Sequence, residues 1–419
     1  MRTLVSASPV SGIGVIRLMS ALTALAFSAA AQTPSLTTLY SFAGGESGAN
    51  PGAGVLLYSG GAIIGTTPYG GTTGCGGTGC GTVYELTPAA GGAWSQAVIY
   101  TFQGNGDGAL PEAAPTLDKL GVLYGTTFAG GATGNGTVFQ LTPPSSSGGT
   151  WTESVLYSFK GGSDGSGPLG GVFIAASGTL YGTTFGGGTG AGTVFQLTPP
   201  ISGVGSWTES VVYSFKGGKD GSGPLSGLIG KNGLLIGTTC CGTKGTVFEL
   251  RESAGTWTKS PVFIFVTRSA GEFPGGLVLG AKSVLYGATS AGGSSDAGIV
   301  FSLTPAATKG KLWTLTTIHS FTGGSDGGSP YGTLIVGPNG VLYGTVTTGG
   351  AYGAGGVVEF TPPATAGQPW TETVLYSFTG ANDGSQPDAG LVLGANNTLF
   401  GTTAFGGTAD NGTVFELIP

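Results

Sequence analysis

Residues 178–199 read GTLYGTTFGGGTGAGTVFQLTP, in which two short runs of Thr, Leu, Tyr, Val and Phe flank a glycine-rich segment. Runs of β-branched and aromatic residues bounded by glycine are typical of antiparallel strands joined by tight turns. Extending the stretch in both directions gives four such runs, which we name strands A to D: 171–175, 179–184, 193–198 and 207–215. The stretch therefore predicts a four-stranded antiparallel sheet as the unit of an all-β fold.

This unit recurs along the chain roughly every 56 residues, which is the first sign of a repeat architecture. Six units contain a tryptophan: Trp94, Trp151, Trp207, Trp257, Trp313 and Trp370. Gly-Thr-Thr or a near variant begins at seven positions: Gly65, Gly125, Gly182, Gly237, Gly287, Gly344 and Gly401. Tyr-Ser-Phe or a related triplet ends at seven positions: Phe42, Phe102, Phe159, Phe215, Phe265, Phe321 and Phe378. Four short strands per repeat are typical of a propeller blade, and no helical spacing supports a helical solenoid. The sequence predicts a seven-bladed β-propeller with four antiparallel strands per blade.

The two ends of the repeat region complement each other. The last unit stops after its strand C, at residues 415–419, whereas residues 36–42 form a strand D with no A, B or C before it. Joining the two fragments would complete one blade and remove an open sheet edge. We therefore expect a single domain over residues 32–419, closed into a ring by its N-terminal strand. A β-solenoid and a split into two domains are the alternatives.

Residues 1–31 have the pattern of a secretory signal peptide. Arg2 and Arg17 precede an apolar run over 18–31 that ends in three alanines. The run is shorter than the roughly 20 residues that span a bilayer, so a retained anchor is the less favoured interpretation. We expect cleavage before Gln32, no membrane span in the mature chain, and a secreted, periplasmic or cell-surface location.

Composition narrows the possible partners. The chain carries 14 basic and 20 acidic side chains, a net charge of −6, and loss of residues 1–31 removes two arginines and no acid. Proteins that bind nucleic acid neutralise phosphates with Lys and Arg, so a nucleic-acid partner is not expected. The 21 Phe, 14 Tyr and 6 Trp argue against disorder despite 87 Gly. We expect a monomer that binds a glycan or a protein.

The 178–199 stretch resembles the GloVer (Gloeo/Verruco) tandem repeat of bacterial surface proteins, and the resemblance covers essentially all of residues 36–419. Members of that family carry one of several C-terminal sorting anchors, which implies an exported and often surface-held protein. Here no anchor follows Pro419, which favours free secretion or periplasmic retention. The family has no established activity, so the resemblance assigns no site residue.

The loops between strands B and C are the best candidates for a ligand site. They share one rim of a propeller with the loops from strand D to the next strand A, and loops on a rigid scaffold often carry function. Aromatic residues follow the Gly-Thr-Thr landmark in units seven, one, two and three, which are consecutive around a closed ring: Phe405, Tyr69, Phe128 and Phe185. Such an arc can stack on sugar rings or on a partner's apolar surface. The alternative is that these rings only fill space between blades.

An aspartate recurs in the loops from strand D to strand A, beside glycine and before a proline, at Asp107, Asp164, Asp220, Asp326 and Asp383. Aspartate next to glycine commonly accepts hydrogen bonds within its own turn. The second possibility is a ring of calcium sites, since calcium prefers oxygen ligands, although one carboxylate per loop is few. We expect no other cofactor.

Four cysteines complete the candidate residues. Cys75 and Cys80 lie in one glycine-rich loop, and an exported protein favours a disulfide between them. Cys240 and Cys241 are adjacent, and both a vicinal disulfide and two free thiols are compatible with the sequence.

Groups suited to catalysis are scarce. The single histidine, His319, occupies a position that is tyrosine in other units, so no Ser-His-Asp or Cys-His arrangement is predicted. Trp-Thr-Glu places Glu153, Glu209 and Glu372 on the outermost strand, far from the channel. We predict a non-catalytic binding module and assign no catalytic residue. The alternative is a secreted carbohydrate lyase or hydrolase with an acidic site in the channel, of which Asp118 and Lys119 are the only indication.

Overall fold

The computed structural model describes residues 33–419 except 147, 202–204, 232, 309 and 366. Residues Pro34–Pro419 form one compact unit of seven four-stranded antiparallel sheets. The predicted seven-bladed all-β propeller is therefore confirmed, whereas the predicted signal peptide lies outside the described residues. No helix in the described part of the chain is long and apolar enough to cross a membrane.

The strands follow the chain blade by blade, from the innermost to the outermost. The first blade holds β2 (Leu56–Leu57), β3 (Ile63–Thr67), β4 (Thr82–Pro88) and β5 (Trp94–Thr101); the second β6 (Thr116–Leu117), β7 (Leu123–Thr127), β8 (Thr137–Thr142) and β9 (Thr152–Ser158); the third β10 (Phe173–Ile174), β11 (Leu180–Thr184), β12 (Thr193–Thr198) and β13 (Thr208–Ser214); the fourth β14 (Ile229–Lys231), β15 (Leu234–Thr239), β16 (Thr246–Ser253) and β17 (Thr256–Ile264). The fifth blade holds β18 (Glu272–Leu279), β19 (Leu285–Ala291), β20 (Ile299–Thr304) and β21 (Thr314–Ser320); the sixth β22 (Ile335–Val336), β23 (Leu342–Val346), β24 (Gly356–Thr361) and β25 (Thr371–Ser377); the seventh β26 (Val392–Leu393), β27 (Leu399–Thr403), β28 (Thr413–Ile418) and β1 (Ser35–Ser41). Short 3-10 turns occur at Gly45–Ser47, Ser59–Gly61, Cys75–Gly77, Ala90–Gly92, Gly162–Asp164, Gly218–Asp220, Arg268–Ala270, Ala281–Ser283, Pro338–Gly340 and Ala395–Asn397.

The N-terminal strand closes the ring, as predicted. Strand β1 pairs antiparallel with β28, from Ser35 opposite Ile418 to Ser41 opposite Thr413. A second closure lies nearer the channel, where the Thr402 hydroxyl donates to the carbonyl of Ala53 at 2.9 Å. The seventh blade therefore joins the first through a complete outer strand and through a contact of the kind that links the other blades.

The innermost strand is shorter than predicted, with two residues in the third blade against the five expected. Its preceding segment lies against the backbone of the next blade, because a Cβ atom at Gly170 would meet the Ser226 carbonyl carbon at 2.5 Å. In this blade the start of strand A therefore forms the inner wall between blades and does not extend the sheet, whereas in the fifth blade β18 pairs with β19 from Glu272 onward.

The Gly-Thr-Thr landmark has one structural role per residue. Gly182 leaves room for the Phe195 ring, which would lie 2.4 Å from a Cβ atom there. The first threonine of the motif donates across to an inner-wall carbonyl of the next blade in six blades, from Thr66, Thr126, Thr183, Thr238, Thr345 and Thr402 at 2.8–3.3 Å. The second bonds within its own blade, as Thr184 does to Thr193 at 2.8 Å. The motif thus fixes both the blade and its contact with the following blade.

The apolar core is divided among the interfaces between blades, which we call seams. The phenylalanine that ends each strand D region is fully buried and meets a strand C ring of the next blade edge-on, as Phe159 meets Phe195 at 5.1 Å. Farther from the channel, the strand D tryptophan lies on a strand B tyrosine of the preceding blade, as Trp207 lies on Tyr124 at 6.3 Å. A middle aromatic pair is present in all seven seams, whereas the inner hydrogen bond is present in six and the outer aromatic contact varies from seam to seam.

Candidate functional site

The loops from strand B to C and from strand D to A meet on one rim, as predicted. Isolated β-bridges join the two kinds of loop in six blades, for example between Ser166 and Gly186. The residue before each strand A proline has a left-handed backbone, with φ of 50–61° at Asn50, Leu110, Gly167, Gly223, Phe273, Ser329 and Gln386. Leu110 shows why: its N–H donates to the carbonyl of Cys80 and its carbonyl accepts from Phe128, both at 2.9 Å. A conformation that costs bulky residues about 1–3 kcal/mol is held here by two backbone bonds, one of them to the preceding blade.

The four predicted aromatic residues form two pairs and not one row. Phe128 and Phe185 are the third residues after their landmark glycines, whereas Tyr69 and Phe405 are the fourth. The bridges place Tyr69 and Phe405 level with Ala129 and Gly186, one residue beyond the phenylalanine positions. Tyr69, Phe185 and Phe405 are 39%, 43% and 40% exposed, and Phe128 is half-buried.

Phe128 and Phe185 lie across the rim toward the following blade. A Cβ atom at Gly167 would approach the Phe128 ring to 2.8 Å, and one at Gly223 would approach the Phe185 ring to 2.8 Å. Between these rings is a depression of about 200 Å³ that also contains Asn135 and Ser166. The rim therefore brings two fixed aromatic groups, an amide and a hydroxyl around one open site.

The recurring aspartates all organise their own loops. Asp164 accepts from the Tyr157 hydroxyl at 2.8 Å and from the Lys160 N–H at 2.6 Å, and Asp107, Asp220 and Asp383 accept from Tyr100, Tyr213 and Tyr376 in the same way. Asp326 lies 3.3 Å from His319, which replaces the tyrosine. This geometry supports the turn role. Across the described residues no group of three or more His, Cys, Asp or Glu is placed to hold a metal, and calcium binding stays a prediction.

The Trp-Thr-Glu carboxylates lie against these aspartates of the preceding loops. Burial, followed by the nearby Asp107, raises the pKa of Glu153 to about 7. Burial and then Asp164 raise the pKa of Glu209 to about 7, against a smaller lowering by Lys160. In the next seam Lys259 replaces the glutamate, and its Nζ lies 2.7 Å from Asp220 Oδ1. These outer seams therefore contain either two acids or an ion pair, and they are remote from the channel, as predicted.

Three residues that the sequence interpretation missed lie at the channel end of strand A. Glu112, Tyr331 and Asp388 each directly follow a strand A proline, in the second, sixth and seventh blades. Burial raises the pKa of Glu112, and it raises that of Asp388 to about 6. Burial, then Asp388 and Glu112, raise the pKa of Tyr331, which places the three groups in one electrostatic neighbourhood. The sequence could have indicated these residues, because the position after the strand A proline is Gly or Leu in the other four blades.

Asp118 and Lys119, which were the only sequence indication of an acidic site in the channel, lie in a turn. Strand β6 ends at Leu117, so Asp118 and Lys119 belong to the turn between strands A and B. Asp118 Oδ1 accepts from the N–H groups of Leu120 and Val122 at 2.8 and 2.9 Å, which is a turn-stabilising role. These two residues therefore do not form a channel site.

Both cysteine pairs are bonded in the structure. Cys75 and Cys80 join across the strand B to C loop of the first blade, with Cα atoms 5.3 Å apart. Cys240 and Cys241 form a vicinal disulfide at the rim of the fourth blade. Cys240 Sγ lies beside the Phe185 ring, since both approach the Cβ position of Gly223. The vicinal pair thus extends the apolar part of the rim by one blade.

Comparison with protein families assigns the repeat. The family model described as the Gloeobacter/Verrucomicrobia repeat matches residues 117–316 and 311–419. This chain belongs to that family. The matched Gloeobacter/Verrucomicrobia repeats begin in β6 and run through the seventh blade, and the predicted resemblance is confirmed over that range. No curated protein matches the chain.

Solved structures similar to this Gloeobacter/Verrucomicrobia repeat chain include three at low identity. A Dyadobacter fermentans protein of unknown function is 13% identical, with 91% of this chain and 98% of that chain covered and a TM-score of 0.46. The PQQ-bound aldose sugar dehydrogenase of Streptomyces coelicolor is 12% identical, with 92% and 98% covered and a TM-score of 0.48. A Lactobacillus plantarum protein is 14% identical, with 77% and 83% covered and a TM-score of 0.49. At these values the likenesses carry no functional argument.

Proposed function

We propose that this protein is an exported, non-catalytic module that binds a glycan through the rim depression between Phe128 and Phe185. The observation that carries the proposal is the pair of rings held across neighbouring glycines with Asn135 and Ser166 between them. Aromatic faces stack on the C–H faces of sugars, while amide and hydroxyl groups pair with sugar hydroxyls. Export rests on the signal-like residues 1–31.

The rigidity of the rim supports a binding role. The Phe128 and Phe185 N–H groups donate to the left-handed Leu110 and Gly167 at 2.9 and 3.0 Å, so the loop backbones are fixed before a ligand arrives. A ligand that meets ordered side chains loses less affinity to ordering of the protein. A protein partner with an apolar surface would use the same rings and is the second occupant that the experiment must distinguish.

The test is binding of the purified protein to a broad glycan panel beside a Phe128→Ala/Phe185→Ala variant. We expect the double variant to fold and to lose about tenfold or more in affinity, the equivalent of about 1.4 kcal/mol. Tyr352→Ala is the matched control, because Tyr352 is 66% exposed in the corresponding loop of the sixth blade, away from the depression. Retained binding by the double variant, or no glycan bound by the unaltered protein, would refute the glycan proposal.

A carbohydrate-active enzyme is the second candidate, and one observation favours it. Burial raises the pKa of Asp388 to about 6, so this carboxyl could hold a proton at mildly acidic pH and act as a general acid, and its charge acts on Tyr331. If the panel contains a substrate, reducing ends or unsaturated sugars will accumulate with time and Asp388→Asn will abolish their release. A bound glycan recovered intact after long incubation supports the non-catalytic module.

A further inference from the structure

Six of the seven seams contain a strand D tryptophan, and in one of these six the outer aromatic contact is missing. Tyrosine lies on tryptophan with ring centroids 5.7–6.3 Å apart in four seams, in the pairs Tyr58–Trp151, Tyr124–Trp207, Tyr181–Trp257 and Tyr286–Trp370. Trp94 and Phe400 share a core cluster in a fifth. At the seam between the fourth and fifth blades, no ring in the described part of the chain pairs with Trp313.

Sequence changes at two positions explain the missing ring. Ile236 occupies the strand B position held by Tyr181 in the third blade, since each pairs with the first residue of its strand A. The first blade also has isoleucine there, but Tyr58 from its strand A to B turn lies on Trp151 instead. The residue corresponding to Tyr58 in the fourth blade is Lys231. Neither of the two positions that supply an aromatic ring in the other blades is therefore aromatic next to Trp313.

A cavity of about 330 Å³ occupies the resulting space. Its walls are Trp313 and the aliphatic side chains of Ile229, Leu234, Ile236 and Leu279. An apolar cavity of about 150 Å³ is large enough to bind benzene in an engineered protein, so a substituted aromatic ring fits this volume. The cavity lies at the start of strand D and therefore on the face opposite the aromatic rim.

The polar edge of the cavity is basic overall. Lys231 and Arg251 lie there with one acid, Glu249. Arg251 is oriented by that acid, with Nε 3.1 Å from Oε1 and Nη2 3.3 Å from Oε2. On a chain with a net charge of −6, this edge favours an anionic substituent on whatever ring enters.

We propose that the cavity beside Trp313 binds a ligand with an aromatic ring and an anionic group, the ring taking the place of the tyrosine present in neighbouring seams. Ring-on-ring contact with Trp313 and burial against the four aliphatic side chains supply the attraction. Lys231 and Arg251 receive the anionic group. The site is independent of the glycan proposal, because it shares no residue with the rim depression.

The experiment is calorimetric titration of the purified protein with 4-hydroxyphenylacetate, with p-cresol, which lacks the anion, and with N-acetyltyrosinamide, which presents the ring as a peptide does. We expect one saturable site for 4-hydroxyphenylacetate and weaker binding of the other two. Equal affinity for p-cresol would refute the anionic part of the proposal. Tighter binding of N-acetyltyrosinamide would assign the site to an aromatic side chain of a partner and overturn a small acid as its ligand.

Two substitutions copied from this chain block the cavity. Ile236→Tyr restores the ring as in the third blade, and Lys231→Tyr restores it as in the first, from the exposed last residue of β14, where misfolding is not expected. Each should weaken binding about tenfold or more, equivalent to about 1.4 kcal/mol. Phe128→Ala/Phe185→Ala should bind the ligand unchanged. No saturable binding to the unaltered protein, or unchanged binding to both blocked variants, would overturn the proposal.

A gain-of-site variant gives an independent check. Tyr181→Ile removes the ring that lies on Trp257 and should add an apolar space to the polar hollow that already lies against these two residues in the seam between the third and fourth blades. We expect a second, weaker site for p-cresol, because the ring pocket is reproduced without the same basic edge. Absence of that second site in a folded variant would contradict the idea that the missing ring creates the pocket.

Discussion

The seam between the second and third blades and the seam between the fourth and fifth are alike near the channel. Phe159 meets Phe195 with centroids 5.1 Å apart in one, and Phe265 meets Phe301 at 5.5 Å in the other. The inner bonds also agree: Thr126 donates to Gly170 at 3.0 Å, and Thr238 donates to Gly275 at 2.9 Å. The same two inner layers therefore fix the angle between blades in both places.

The outer layers of the same two seams differ completely. In the first seam Tyr124 covers Trp207 and Glu209 lies against Asp164. In the second, Ile236 leaves Trp313 uncovered, and Leu315 and Ala270 take the positions of the two acids. Since the ring closes equally well with either set, the outer layer is not required for the architecture. It is where this repeat can acquire a ligand cavity or a charge pair without loss of the fold.

The largest loss of stability is expected from substitutions in the middle aromatic layer that the two seams share. Phe195→Ala and Phe301→Ala each remove a fully buried ring, and each should lower the free energy of unfolding by about 3–5 kcal/mol. Denaturant unfolding of both variants measures the loss. A cost in one seam less than half that in the other would show that the middle layer is not equivalent.

The inner hydrogen bond should have the next largest effect. Thr126→Val removes the donor to the buried Gly170, and Thr238→Val removes the donor to the half-buried Gly275, which costs about 1–3 kcal/mol in each seam. Thr208→Val, on the exposed outermost strand of the third blade, is the control and should change stability by less than about 0.5 kcal/mol. Losses no larger than the control would mean that the inner bonds do not set the interface.

Changing the charged residues in the outer layer of a seam should have a smaller effect on stability. Glu209→Lys would copy the Lys259–Asp220 pair of the next seam, whose Nζ lies 2.7 Å from Oδ1. Because these groups are partly exposed, we expect a stability gain of at most about 1 kcal/mol at pH 7.5. The reverse variant, Lys259→Glu, should be destabilised. A loss of stability in Glu209→Lys would contradict the expectation that this seam is more stable with an ion pair than with two acids.

The pH dependence of stability should reveal the same acids. Burial, followed by the neighbouring aspartates, raises the pKa of Glu153 and Glu209 to about 7, while their unfolded values stay near 4.5. The folded protein then holds more protons between those values, so its free energy of unfolding falls as pH rises from about 4.5 to 7 and levels off above. Glu153→Gln/Glu209→Gln should flatten this decline in pH-dependent unfolding curves. An unchanged decline in that variant would assign the protons to other groups.

The fold was predictable because its information recurs. Three independent features predict the same four-stranded blade: the Gly-Thr-Thr landmark, the buried strand D phenylalanine, and the complementary segments at 36–42 and 413–419. Because the unit occurs seven times, an ambiguous assignment in one copy is resolved by the others. The short strand A of the third blade was not predictable, since Gly171 looks like a strand residue until the approach of Ala114 in the preceding blade is known. Contacts between blades involve residues about one repeat apart, which local patterns do not describe.

The candidate sites were harder to predict because they depend on departures from the repeat. Pro68 and Ala404 displace Tyr69 and Phe405 by one position, which separates them from the phenylalanines although the sequence spacing looks equivalent. Glu112 and Asp388 lie in blades two places apart around the ring. Ile236 is an ordinary strand residue, and only the tryptophan of the next blade shows that a ring is missing.

The pairing of β1 with β28 has a consequence for the order of synthesis. The strand at Ser35–Ser41 emerges from the ribosome before every other strand, yet its partner at Thr413–Ile418 emerges last. Closing a loop of that length is slow, and an unpaired strand is open to wrong partners in the meantime. The first strand of a nascent chain therefore stays unpaired while six complete sheets and the other three strands of the seventh are synthesised, and a chain that ends before Thr413 lacks the strand with which it pairs.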